Sequence, residues 1–224
     1  MSLRLVLGRG NPYSSAVELL ERAGLPVAPL RRGSRRLVFR LDDGTTVITA
    51  RPSDVPTYVE FGAADVGLAG KDVLLERAPD LYELLDLYIA RCRLVYATPE
   101  RASGRRGERT GRLRIATKYP RTARRWFEAQ GRQVDVIELK GSIELAPQVG
   151  LADGIVDLTS SGVTLHKNGL VERAEIARCS TRLVANRAAH KLRGDEVAEL
   201  LERLRAARGE SGAEPEPGEG KVEA

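Results

Sequence analysis

A chain of 224 residues, 42% hydrophobic and 30% charged, can bury a real core and reads as a soluble globular protein of one large or two small domains. No apolar run approaches the roughly 20 residues that cross a bilayer, and Met1-Ser-Leu-Arg-Leu-Val-Leu7 enters a strand pattern rather than a secretion signal, so the expectation is a cytoplasmic protein without membrane association. The net charge of +5 points to anionic ligands, while the 4% of aromatic residues do not interleave with basic ones to make a base-stacking platform, which argues against nucleic acid.

Residues 3–7 read as a compact apolar strand. The break Gly8-Arg9-Gly10-Asn11-Pro12 precedes an amphipathic helix with Val17, Leu19, Leu20 and Ala23 facing inward and Gly24 ending it. A glycine-containing turn between strand and helix is where α/β folds bind anions, so Arg9 is a candidate phosphate ligand; an exposed loop arginine is the competing reading. The basic run 31–36 reads as solvated surface. Residues 37–41 and 46–50, joined by Asp42-Asp43-Gly44, read as a hairpin, and Arg51-Pro52 leads into a helix that runs to about Gly62. Residues 64–75 form a strand, a glycine turn and a helix entry, where Asp72 either caps the helix or faces a cleft at the carboxyl edge of the sheet. Residues 84–98 read as one long β stretch carrying Cys92, and 100–112 as an exposed basic loop.

A second series follows: strand 113–117, the turn Lys118-Tyr119-Pro120, helix 121–130 with Trp126 and Phe127 in the core, strand 134–139, helix 142–149 and strand 154–158. Alternating strands and helices imply a parallel sheet. Residues 151–165 combine the most chemistry in the shortest span. Asp153 and Asp157 flank a buried strand, and Thr159, Ser160, Ser161, Gly162, Val163 and Thr164 form a hydroxyl and glycine turn opening a helix. Such a turn can hold a phosphate dianion, with the acids accepting from a ribose diol; the same residues also suit an N-capped helix with ion-paired acids. Lys118 and Tyr119, at another strand-to-helix turn, could face the same cleft. Strands at about 170–177 and 182–186 place Cys179 between them. A final helix, about 188–208, has Leu192, Val197, Leu200, Leu201 and Leu204 as its apolar stripe. The 209–224 tail is expected to be disordered, and His166 and His190 to lie on the surface. The two cysteines, far apart in sequence and without ligand-like spacing, read as buried free thiols rather than a metal cage or a disulfide framework.

Five stretches in order, Asp54-Val-Pro-Thr-Tyr-Val-Glu60, Ala64-Asp-Val-Gly-Leu-Ala-Gly-Lys-Asp72, Leu113-Arg-Ile-Ala-Thr-Lys-Tyr-Pro120, Gly141-Ser-Ile-Glu-Leu-Ala-Pro147 and Gly150-Leu-Ala-Asp-Gly-Ile-Val-Asp157 followed by Thr159-Ser-Ser-Gly-Val-Thr-Leu165, resemble the histidine-biosynthesis ATP phosphoribosyltransferase family. The resemblance implies transfer of phosphoribosyl from 5-phosphoribosyl 1-diphosphate (PRPP) to N1 of ATP, with Mg²⁺ assisting and pyrophosphate leaving. It implies an α/β, two-lobed periplasmic-binding-protein-like fold of type II, with two interdomain crossovers and a cleft active site. By the same resemblance residues 159–164 match the 5′-phosphate loop, Asp153 and Asp157 match acids near the PRPP ribose, and Arg51, Asp72, Lys118 and Tyr119 match the ATP side. Arg9, the candidate catalytic cation, stands where the family usually has lysine, and Asn11 where it often has arginine. The chain looks like the short form, which is implied to work in a hetero-oligomer with a regulatory subunit resembling histidyl-tRNA synthetase. The lobes are expected at 1–93 plus 180–208 and at 94–179, with crossovers near 91–97 and 177–183. Both cysteines lie there, so Cys92 and Cys179 are expected to be close neighbours, as thiols. A solute or phosphosugar-binding module without catalysis is the alternative, since the same fold serves ligand capture.

Overall fold

Four successive residues of β1 (Arg4–Gly8) are buried, because this strand lies inside a sheet covered on both faces and has no solvent side to alternate with. In this computed structural model, which describes residues 2–10, 12–31, 36–100 and 112–208, the chain continues through α1 (Tyr13–Arg22), α2 (Ala28–Arg31), the hairpin β2 (Val38–Arg40) and β3 (Thr46–Ala50), and a 3-10 turn at Pro52–Asp54. Next come α3 (Val55–Glu60), β4 (Val66–Gly70), α4 (Lys71–Arg77) and β5 (Tyr82–Asp86). The second half comprises β6 (Cys92–Pro99), β7 (Leu113–Thr117), α5 (Pro120–Ala129), β8 (Val134–Glu138), α6 (Leu145–Gln148), β9 (Gly154–Thr159) and α7 (Val163–Lys167). It ends with β10 (Leu170–Cys179), β11 (Thr181–Ala185), α8 (Arg187–Leu192) and α9 (Gly194–Arg208). Asn11, residues 32–35, the 101–111 stretch of the basic loop and the 209–224 tail lie outside the described residues.

Two sheets result. The first has the order β2-β3-β1-β4-β11-β5, with β3, β1 and β4 parallel; the second has the order β10-β6-β9-β7-β8, with β9, β7 and β8 parallel. The parallel sheet expected from strand and helix alternation is therefore only one side of the second sheet, ending at the β8 edge, and β6 and β10 extend it on the other side in antiparallel register. The expected single stretch 84–98 is two strands in different sheets. It breaks at 87–91, where Tyr88 and Ala90 take positive φ of 53° and 52°, and the chain crosses between sheets there and again at Ser180. The first crossing meets the expected 91–97 window at Arg91 and begins four residues before it, and the second lies within 177–183. The expected final helix is also two, broken at Arg193, whose guanidinium turns inward to Asp65 at 2.7 Å; Leu192, expected in the apolar stripe, is 82% exposed.

One device recurs at the amino edge of each sheet. Asp65, immediately before β4, accepts from the Arg4 main-chain N–H at 2.7 Å and from the Arg4 guanidinium at 2.7 Å, while its own N–H returns to the Arg4 carbonyl. Asp153, immediately before β9, does the same with Arg114, at 2.9 Å and 3.2 Å. Each acid fastens the beginning of one parallel strand, at its first residue Arg4 in β1 and its second residue Arg114 in β7, to the start of the next. For Asp65 burial opposes ionisation, but the hydrogen bonds and charge of Arg4, with Arg193 behind them, outweigh it and hold the carboxyl below its ordinary range.

The sheets are joined through α4 and α5. Helix α5 begins with Tyr119 and Pro120, and Tyr119 supplies no side-chain cap. The cap comes from the other lobe: Glu76 on α4 accepts the N–H groups of Arg121 and Thr122, each at 2.9 Å, and the Thr122 hydroxyl at 2.8 Å. These are donors that the first turn of a helix leaves without intrahelical partners, and a carboxylate there also meets the positive end of the helix dipole. Replacing Glu76 by Ala should lower unfolding stability by about 1–3 kcal/mol, the cost of leaving part-buried donors without an acceptor. Urea midpoints of wild type, Glu76→Ala and Glu76→Gln check this, with the glutamine variant, which keeps one acceptor oxygen, falling between the other two.

Candidate active site

Parallel strands deliver the residues that follow them to one edge. In the first sheet β1, β3 and β4 end together, so Arg9, Arg51 and the Lys71-Asp72 helix entry share its carboxyl edge around a recess lined by Gly8, Pro52, Gly70 and Thr181. The Arg9 N–H donates to the Ala50 carbonyl at 2.7 Å, its Nε donates to Thr49 Oγ1 at 3.0 Å, and another guanidinium nitrogen donates to the Arg36 carbonyl. The strand ends thus fix where this guanidinium lies. Arg51 is exposed, its carbonyl accepting the Asp54 N–H at 2.9 Å to form the 3-10 turn. Asp72 lies folded back over Gly70: a methyl at Gly70 would come within 2.3 Å of Asp72 Oδ1. A side chain at this position would have to displace the Asp72 carboxylate from where it lies.

In the second sheet β7 and β9 end at the turn Lys118-Tyr119 and at residues 159–164. Thr117, fully buried, locks the first turn by donating to the Val156 carbonyl at 2.6 Å and accepting the Tyr119 N–H at 2.9 Å. Thr159 Oγ1 accepts the Gly162 N–H at 2.8 Å, closing a tight loop that the positive φ of Gly162, 76°, completes before α7. Ser160, Ser161, Val163 and Thr164 are exposed on this loop. The two edges meet at one hydrogen bond, from Tyr119 Oη to Asp72 Oδ2 at 2.9 Å. Burial, together with the charge and hydrogen bond of Asp72, drives the Tyr119 phenol far above its ordinary range, so it stays a donor.

The two acids of the 151–165 stretch separate. Asp157 lies within β9, two residues before Thr159, and is half-buried. Burial pushes its carboxyl up; the Leu158 N–H at 2.9 Å and the charge of Lys118 oppose this, and Glu144 adds to it. Asp153 stands at the opposite end of the strand, about 20 Å from the loop at roughly 3.3 Å per residue, bound to Arg114 as described. The expectation that both acids flank one diol and phosphate site is corrected accordingly, because a strand that carries one acid before it and one inside it cannot bring both to the same edge. Arg9, Arg51 and Asp72 on one side, and Lys118, Tyr119, Asp157 and residues 159–164 on the other, lie at the facing carboxyl edges.

Glu76, Arg114 and Thr117 were not singled out from the sequence, although all three hold the site in place. A signal existed for one of them: Leu3-Arg4-Leu5 with Ala64-Asp65 recurs as Leu113-Arg114-Ile115 with Ala152-Asp153, an internal repeat of the strand-start device. His166 and His190 are exposed.

Asp157 carries the clearest pH signature. Its folded-state carboxyl is raised, so the stability tied to its neutral form is complete below the ordinary value of about 3.9 and is lost as pH rises through the folded value. Asp157→Asn should therefore raise the urea midpoint at pH 7, with the advantage closing at about pH 4 and below; a midpoint at or below wild type at pH 7 would contradict the burial assigned here.

Against known proteins, the family model described as HisG: ATP phosphoribosyltransferase matches residues 51–206. The ATP phosphoribosyltransferase of Rubrobacter xylanophilus is 52% identical over 202 residues, covering 89% of this chain and 93% of the relative. The solved ATP phosphoribosyl transferase (HisG:HisZ) complex from Thermotoga maritima contains a chain that is 35% identical, with a TM-score of 0.78 over 92% of this chain and 98% of that one. The periplasmic aliphatic sulphonate binding protein SsuA from Escherichia coli, at 13% identity and a TM-score of 0.58 over 92% of this chain and 72% of that one, shares the fold alone. The architecture is thus the two-lobed periplasmic-binding-protein type, and the chain belongs to the ATP phosphoribosyltransferase family.

Proposed function

We propose that this protein transfers phosphoribosyl from PRPP to N1 of ATP at the facing carboxyl edges of its two sheets. The observation that carries the reading is the pairing of a cationic edge, Arg9 and Arg51, with a hydroxyl and glycine loop across the Tyr119 to Asp72 contact, in a chain of this family. The loop of Thr159, Ser160, Ser161, Gly162, Val163 and Thr164 would take the 5′-phosphate, and Asp157 the ribose diol. Asp153 is assigned to the frame, fastening β9 to β7 as Asp65 fastens β4 to β1. Asp72, Tyr119, Lys118 and Arg51 would line the ATP side, with Tyr119 donating and Asp72 accepting.

The reaction asks little of acids and bases. Adenine N1 is a neutral nucleophile; its bond to the anomeric carbon forms as the bond from that carbon to the pyrophosphate oxygen breaks. The residues hold the two substrates in line and supply cations where negative charge grows on the leaving group, with Arg9 proposed for that position. Among the described residues no three His, Cys, Asp or Glu side chains converge as a metal cage. The donor set fits a Mg²⁺ carried mainly by diphosphate oxygens and water, with Asp157 the carboxylate that would share it, and such an ion would neutralise charge on the departing pyrophosphate.

The regulatory partner is proposed on the same footing. The Thermotoga maritima relative was solved as a HisG:HisZ complex, and this chain matches one chain of that complex over nearly its full length. A hetero-oligomer with a histidyl-tRNA-synthetase-like subunit, catalysing the first step of histidine biosynthesis in the cytoplasm, is the assembly this likeness supports. Among the described residues no helix is long and apolar enough to cross a membrane.

Mixing the protein with ATP, PRPP and Mg²⁺, with and without that subunit, should generate the absorbance of phosphoribosyl-ATP; its absence under both conditions would overturn the reading. Asp157→Ala should raise the apparent KM for PRPP about tenfold or more, the loss of one or two hydrogen bonds to a charged acceptor, and an unchanged KM would remove Asp157 from the ribose.

A further inference from the structure

Cys92 opens β6 and Cys179 closes β10, and the antiparallel register of that pair sets them directly opposite one another. Residues so paired stand about 4.5–5.5 Å apart at Cα, within the range of about 4.4–6.8 Å that a disulfide spans. The two thiols are free, with Cys92 half-buried and Cys179 only 3% exposed.

The pair is chemically asymmetric. The hydrogen bond from Cys179 draws the Cys92 thiol below its ordinary range, against burial and the charge of Asp72. The same bond, with burial and Asp72, pushes Cys179 up, and the nearby Arg182 offsets only part of this. The more accessible sulfur is thus the one with thiolate character, and the buried one is already aimed at it, which is the arrangement of an attacking and a resolving thiol.

We propose that Cys92 and Cys179 form a thiol–disulfide exchange site that takes a low-molecular-weight disulfide, with Cys92 as the attacking and Cys179 as the resolving cysteine. The Cys92 thiolate forms a bond to one sulfur of the external disulfide, whose own S–S bond breaks and releases a thiolate that takes up a proton. Cys179 then gives up its proton, attacks Cys92 Sγ and displaces the second external thiol. Two protein thiols are oxidised to one disulfide, and one external disulfide is reduced to two thiols.

The position gives the bond a mechanical consequence. Cys92 is the first residue after the crossing at 87–91, and Cys179 the last before the crossing at Ser180. Ser180 itself is tied to the first lobe, its hydroxyl donating to Asp86 at 2.6 Å and its carbonyl accepting the Lys71 N–H at 2.9 Å. A bridge would therefore weld the two passages between the lobes at their second-lobe ends, beside Asp72. This chemistry is independent of phosphoribosyl transfer.

The test is to incubate the native full chain with oxidised glutathione and read intact mass and disulfide-mapped peptides. Wild type should lose two hydrogens, with the bond mapped to Cys92 and Cys179. Cys179→Ser should hold one glutathione on Cys92, and Cys92→Ser should take up none while folded but react once denatured. Retention of both thiols in the wild type, glutathione carried without an intramolecular bond, or preferential modification of Cys179 would each overturn the proposal.

Discussion

One face of a short helix joins the two halves of this molecule. Asp72 and Glu76, four residues apart on α4 and so one above the other, reach across to α5, Asp72 accepting from the Tyr119 phenol and Glu76 capping the helix start with three hydrogen bonds. Each sheet has its own buried clusters, and between the two acids Leu75 packs against one belonging to the second sheet. Because α4 and α5 both leave the carboxyl edge of a parallel strand, holding the start of α5 along one face of α4 makes those edges face each other. The cleft is a consequence of this contact.

What the contact brings together differs in kind on its two sides. The first lobe presents cations on strand ends, Arg9 held by Ala50 and Thr49 and Arg51 at a helix turn; the second presents hydroxyls, a glycine and a half-buried carboxylate. Transfer between two phosphorylated substrates needs such a division, since one must be gripped at its phosphate and ribose while charge is neutralised on the other side of the breaking bond. Tyr119 contributes by remaining protonated. A phenol that ionised easily would turn its contact with Asp72 into a repulsion between two anions and open the molecule at its joint.

Most elements were legible in the sequence because each is a local pattern: apolar runs for β1, β4 and β9, the Asp42-Asp43-Gly44 turn, and the 3.6 period of α1. The glycine and hydroxyl loop at 159–164 and the turn after β7 were legible for the same reason. What escaped depends on register or on a partner distant in sequence. Asp153 reads as a ligand until β9 is laid beside β7 and Arg114 arrives opposite. The cap of α5 lies 45 residues upstream, at Glu76, so the start of that helix, Tyr119-Pro120, carries no sign of it. The 84–98 stretch is uniformly strand-like, and only the crossing between two sheets explains its break. Leu192 fits a helical stripe, yet Arg193 leaves the helix to reach Asp65, and the stripe ends there. The proximity of Cys92 and Cys179 came from the family resemblance and not from spacing, and the strand register supplies its geometry.

The central claim is that substrate sits between the two facing carboxyl edges and is held by the loop after β9. Hydrogen–deuterium exchange of the native protein with and without PRPP and Mg²⁺ tests it most directly, because it reports on each backbone segment without requiring turnover. Protection should concentrate on residues 157–165 and extend to the Arg9 edge across the cleft, leaving the amino edge around Asp153 and Arg114 unchanged. Saturating PRPP that protects the Asp153 edge, or any other surface, while leaving residues 157–165 as they were would contradict the account.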